Sequence, residues 1–210
     1  MGDRPEAFER FRDTRSETLD LARDLTQEQL DFPSGPRKWS VGQVLDHLVR
    51  VDEVFREEYD ELLRRWKKKR RGVGLFRTLS DAGFSLPLVP DAFLPLFDLP
   101  AAMAGVFIPR QVRQAVFSNR AVPAQAPGRI KPREGRKADN LRGELSEFQE
   151  YLEEFFADNP DVEWEKLRYY NPLCGFTNLP GVMSFIASHE ERHQGQIREI
   201  LDSEGFPKAA

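Results

Sequence analysis

Cysteine is all but missing from this chain. Cys174 is the only one among 210 residues, which excludes an internal disulfide framework and suits a reducing compartment. Long apolar runs are missing too, since no uncharged stretch approaches the ~20 residues of a membrane-spanning helix. The opening residues, MGDRPEAFERFRD, are charged and lack the apolar centre of a secretory signal. A cytoplasmic protein is therefore expected. Neither sign of charge dominates. The net charge of −4 and the pI near 5.6 give no global pull toward nucleic acid, which is not expected as a partner. Histidine is nearly as scarce as cysteine, with three in the chain.

What is present is amphipathic helix. An apolar content of 40% can build a substantial core. The first helix is expected over about 4–25, with Phe8, Phe11, Leu19, Ala22 and Leu25 as its stripe and Asp3 and Glu6 as a capping box around Pro5. Polar Arg15 and Thr18 interrupt that stripe. A turn follows, marked by Pro33, Gly35 and Pro36. Ser40 and Gln43 then form an S-x-x-Q capping box for a second helix over about 41–71. The third spans about 139–157, with Leu141, Leu145, Phe148, Leu152 and Phe155 at alternating 4-3 spacing, Asp139 as cap and Asn159-Pro160 as stop. The fourth, about 179–203, aligns Val182, Ile186, His189, His193, Ile197 and Ile200. No strand-period segment matches these in quality. The expected fold is all-α, a four-helix bundle formed by 1–210 as one domain.

All three histidines fall on these stripes. His189 and His193 are four apart, which places them on one helix face about 6 Å apart at Cβ. His47 lies on the core side of the second helix, where a buried imidazole needs a partner. Two ligands from one helix and a third from a facing helix make a three-nitrogen metal site with an open position, the pattern of catalytic rather than closed structural sites. The sequence His189-Glu190-Glu191-Arg192-His193 also matches H-E-x-x-H, the zincin protease signature. A protease is disfavoured, because no histidine follows, Gly195 is one place early for the longer form, and no upstream strands exist to bind a peptide. Glu190 is about 100° around the helix from His189 and so off the metal-facing stripe. Gln196 returns to that face, either to bond a ligand or to pack.

Residues 72–138 separate helices two and three and far exceed an ordinary connection of ~2–8 residues in a bundle. The first half is apolar and broken by Pro87, Pro90, Pro95, Pro100 and Pro109. IPRQVRQAVFSN has the composition of a short helix, and AVPAQAPGRIKPREGRK that of a solvated, basic, Pro-rich loop. Just before it stands RRWKKKRR, which complements a helix C-terminus and is also compatible with peripheral contact to an anionic membrane. Left uncovered, so apolar a segment would exceed the patch size soluble monomers tolerate. A lid over the metal site and a homodimer interface are the two leading expectations.

Two stretches resemble the DinB/YfiT-like superfamily of metal-binding four-helix bundles. LTQEQLDFPSGPRKWSVGQVLDHLVRVDE is similar to the family's first loop, its tryptophan-bearing helix start at Trp39-Ser40, and its first histidine, His47. NPLCGFTNLPGVMSFIASHEERHQGQI is similar to its closing segment, through Asn171, Pro172, Gly175, His189, His193, Gln196 and Ile197. The resemblance covers roughly 5–70 and 139–203. It implies an up-down-down-up bundle, a site of His47, His189 and His193 for zinc, nickel or a similar divalent ion, and frequent homodimers. Characterised relatives include thiol S-transferases that use low-molecular-weight thiols. A metal-dependent thiol transferase acting on a small molecule is thus expected, with a noncatalytic metal-stabilised binding or stress-response protein and a metal-dependent hydrolase as alternatives.

Overall fold

The computed structural model describes residues 5–36, 38–68, 128–171 and 175–208. Among the described residues, five α-helices carry the fold: α1 (Glu6–Ala22), the short α2 (Gln27–Asp31), α3 (Val41–Lys67), α4 (Ala138–Ala157) and α5 (Leu179–Leu201). A two-stranded antiparallel hairpin, β1 (Arg168–Asn171) with β2 (Gly175–Asn178), immediately precedes α5. Residues 69–127, which hold the end of the expected second helix and its basic run and most of the expected insertion with its short helix, lie outside the described residues, as do Pro172 and Cys174.

Side-chain pairs fix the helix directions. Along α1 and α5, Arg10 meets Ser188 and Glu191, Thr14 meets Gln194, and Glu17 meets Arg198, so the two run parallel. Along α1 and α4, Phe8 meets Phe156, Phe11 meets Phe148, and Ala22 meets Arg142, so these run antiparallel. Arg136, just ahead of α4, meets Asp46, whereas Tyr151 meets Asp60, so α3 and α4 are parallel. The result is an up-down-down-up bundle in which α1 packs on α4 and α5, and α3 packs on the same two.

The core has two apolar halves. One gathers Phe8, Phe11, Tyr59, Phe148, Phe155 and Trp164, and the other Ala22, Leu45, Leu48, Leu141, Leu145 and Ile197. Between them lies a buried ion cluster. Arg15, fully buried, donates from Nε and Nη2 to Glu190 (2.8 and 2.9 Å), from Nη1 and Nη2 to Asp52 (2.8 and 3.1 Å), and from Nη1 to the Leu145 carbonyl (2.8 Å). Every N–H of the guanidinium has an acceptor, and those acceptors lie on three other helices. Beside it Gln194 donates to the Thr14 carbonyl (2.7 Å) and to the Thr18 hydroxyl (3.1 Å). Arg15 and Thr18 therefore do not interrupt the buried face of α1; they are its polar centre.

Several local expectations need correction. The first helix starts at Glu6 with Pro5 as N-cap and no side-chain cap; Asp3 lies outside the described residues. Lys137, not Asp139, is the N-cap of α4. The turn expected after the first helix contains α2, held by a capping box in which Thr26 accepts from the Gln29 amide and Gln29 caps in return. This short helix rests on α3 at Gly42, where a Cβ would come within 3.1 Å of the Leu30 carbonyl. The hairpin was unforeseen; its strands of four residues are too short to show a period. The Ser40–Gln43 capping box is present as expected, and Asn178 caps α5 by accepting from Gly181.

Candidate metal centre

Two helices bring the three histidines together. His47 extends from the second turn of α3, while His189 and His193 extend from α5 one helical turn apart. His47 and His193 are buried and His189 is half-buried, a little nearer the edge than its place in the stripe implied. The Nε2 atoms converge: His189 lies 3.4 Å from His47 and 3.2 Å from His193. Donor nitrogens of the three all lie within 4.8 Å of one another, so the cluster could hold a metal ion. Two imidazole nitrogens on one tetrahedral zinc, each about 2.05 Å from it, stand about 3.3 Å apart. The two Nε2 separations match that spacing.

The opposite ring nitrogens set the tautomers. His47 Nδ1 is 2.8 Å from the Ile130 carbonyl, which can only accept, so this nitrogen carries the proton. His193 Nδ1 donates to Gln196 Oε1 at 3.0 Å. In the neutral form each of these two rings presents a bare Nε2 lone pair toward the shared centre, an arrangement that favours a cation between them. Gln196 thus bonds a member of the cluster directly instead of serving as packing. His189 Nδ1 is buried and has no hydrogen-bond partner among the described residues. Burial holds the His47 imidazole below its ordinary range, with Arg192 and Arg50 adding to the effect against the Ile130 carbonyl and Asp46. Burial, then the neighbouring His193, His47 and Arg192, hold His189 well below it. Neutral imidazole is the form that binds a metal.

Aromatic rings line two sides. Trp39 lies 5.1 Å from the His47 ring and is stacked 6.2 Å from that of His193, while Phe185 is stacked 6.3 Å from His189. Glu190 points the other way, into the ion cluster with Arg15, and is fully buried there. It is not available as a general base at the histidines, which removes the protease reading on geometric grounds. Asn171 likewise does not join the cluster; its amide donates to both carboxylate oxygens of Glu58 (3.1 and 3.2 Å), tying the hairpin to α3.

Sequence reasoning missed the segment that holds His47 in place. Residues 128–137 fall inside the stretch expected to be a solvated loop, yet they lie along α3. Arg50 donates to the Arg129 carbonyl, His47 to the Ile130 carbonyl, and Gln43 to Glu134. Asp46, fully buried, accepts from the Arg133 amide (2.7 Å) and guanidinium (2.8 Å) and from Arg136 (3.0 Å). Burial alone would push the Asp46 carboxyl up, but the Arg133 hydrogen bonds outweigh it and hold it below the usual range. Only the buried Ile130 among so many polar residues hinted at this, and one apolar residue carries no period.

The model of a protein family described as the DinB superfamily matches residues 10–197. Searches of curated proteins and of solved structures returned no match. No described helix is long and apolar enough to cross a membrane.

Proposed function

Since the chain belongs to the DinB superfamily, we propose that His47, His189 and His193 together bind one divalent ion, zinc or nickel, and that the protein is a metal-dependent thiol transferase. The convergence of three Nε2 atoms at 3.2 and 3.4 Å, two of them with lone pairs fixed inward by bonds at Nδ1, carries this reading. Three protein ligands leave a position open, as catalytic sites do. A bound ion would supply Lewis acidity and would hold a low-molecular-weight thiol as its thiolate at neutral pH. The chain's own contribution is positioning. Gln196 and the Ile130 carbonyl orient two imidazoles, and Trp39 and Phe185 offer apolar walls for a small-molecule acceptor beside them.

Protein purified without a polyhistidine tag is expected to carry about one divalent ion per chain by elemental analysis, and each single alanine substitution of the three histidines is expected to weaken binding sharply. Retention of tight binding in His47→Ala would refute a site shared between helices. The metal-loaded protein is then assayed with several thiols against electrophilic acceptors, with His193→Ala as control. Thiol-dependent turnover lost in the variant supports the transferase. Ester or amide hydrolysis without thiol points to the hydrolase. Silence in every assay, with a metal-dependent rise in Tm, points to a noncatalytic binding protein.

A further inference from the structure

The most detailed polar construction near the histidines outside the cluster itself is the clamp on Asp46. Residues 129–136 run along α3 in reverse register, from Arg129 beside Arg50 and Glu57 to Glu134 beside Gln43. Asp46 is the fixed point of that path, because the amide of Arg133 and the guanidinium groups of both Arg133 and Arg136 end on its carboxylate. Gly135, at φ +67°, turns the chain between the two arginines so that both reach one acceptor. Three residues before Arg133, the Ile130 side chain is buried in the core and its carbonyl meets His47 Nδ1. Asp46 and His47 are adjacent in sequence but face different partners on the same segment. The carboxylate holds the segment, and the segment holds the imidazole.

We infer that residues 129–136 act as a strap that fixes His47 in its Nδ1–H tautomer, and that Asp46 is the positioning residue that keeps the strap in register. The inference rests on the metal reading for its consequence but not for its geometry. An imidazole whose Nδ1–H has lost its acceptor is free to exchange to the other tautomer, whose Nε2–H blocks the face that would bind an ion. Loss of such an outer partner typically weakens metal affinity by about 10- to 100-fold.

Full-length protein, metal-free and then metal-loaded, is compared with Asp46→Asn, Arg133→Ala and the control Glu57→Gln, an exposed carboxylate that pairs with the Arg129 guanidinium and not with Asp46, Ile130 or His47. Long-range 1H–15N NMR, with His47 assigned through His47→Ala, reads the tautomer without metal. Chelator competition with zinc reads the affinity. In the wild type and in Glu57→Gln, His47 is expected as the Nδ1–H form alone. In Asp46→Asn and Arg133→Ala a share of the Nε2–H form is expected, with zinc affinity lowered about 10-fold or more. Should Asp46→Asn fail to fold, Arg133→Ala decides, since that side chain is half-exposed. A folded variant with an unchanged His47 tautomer, even one with a lowered Tm, overturns the proposal and leaves the clamp a structural device. Wild-type protein that binds no zinc overturns the metal reading instead, and the tautomer measurement still decides the strap.

Discussion

At the scale of single residues, Arg15 is a fully buried cation whose five N–H groups all have acceptors. It faces two carboxylates in a buried layer, and burial together with the Glu190 charge pushes the Asp52 carboxyl up to about 7 against the pull of Arg15. Removing one partner of a buried ion cluster strands the others, at a cost of about 3–5 kcal/mol. Arg15→Met is therefore expected to lower the unfolding free energy by that much, read from denaturant melts, and the triple change Arg15→Met, Asp52→Leu, Glu190→Leu to recover most of it. Glu58 gives a prediction in pH. Burial pushes its carboxyl up to about 7, with Asn171 and Tyr169 opposing. A carboxyl raised in the folded state ionises first in the unfolded chain, so it costs stability as pH rises from about 4.5 to about 7 and no more beyond. Glu58→Gln, which can still accept from Asn171, should raise stability at pH 8 by about 1–2 kcal/mol and leave it unchanged near pH 4 in urea melts.

Elements differ in how plainly the sequence announces them, and the difference is physical. The long helices were legible because their apolar residues repeat over many turns, and α3 because Ser40 and Gln43 mark its start. That cap holds the beginning of the helix that carries His47. Ser40→Ala is expected to cost about 1 kcal/mol, read as a shift in the urea midpoint at constant slope. The short α2, of five residues, and the four-residue strands leave no period to detect. The histidine cluster was legible because two of its members share one helix at i and i+4 and no fourth histidine competes. Its supports were less so. Gln196 stood at the right spacing, whereas the carbonyl that holds His47 belongs to Ile130, and a backbone acceptor leaves no mark in side-chain chemistry. Arg15 and Thr18 were read as flaws in a stripe because a single sequence does not reveal that Asp52, Glu190 and Gln194 wait opposite them.

For the whole molecule, the direction of each helix follows from which side chains meet, and the up-down-down-up order brings histidines from α3 and α5 to one point although His47 and His189 are 142 positions apart in sequence. An ion shared by them is a reversible cross-link in a chain that has one cysteine and so cannot make a covalent one internally. The entropy of closing such a loop grows only with the logarithm of its length, at about 0.6 kcal/mol per doubling. The strap 129–136 lies inside that loop and holds His47 through the Ile130 carbonyl. Removing the strap, residues 129–136, is thus expected to abolish the support of His47 and to weaken zinc binding by about tenfold or more, read by chelator competition. The bundle has already brought both ends of that loop together, so an ion bound between α3 and α5 would meet little of its closure entropy and would act as a clasp on helices the fold has paired.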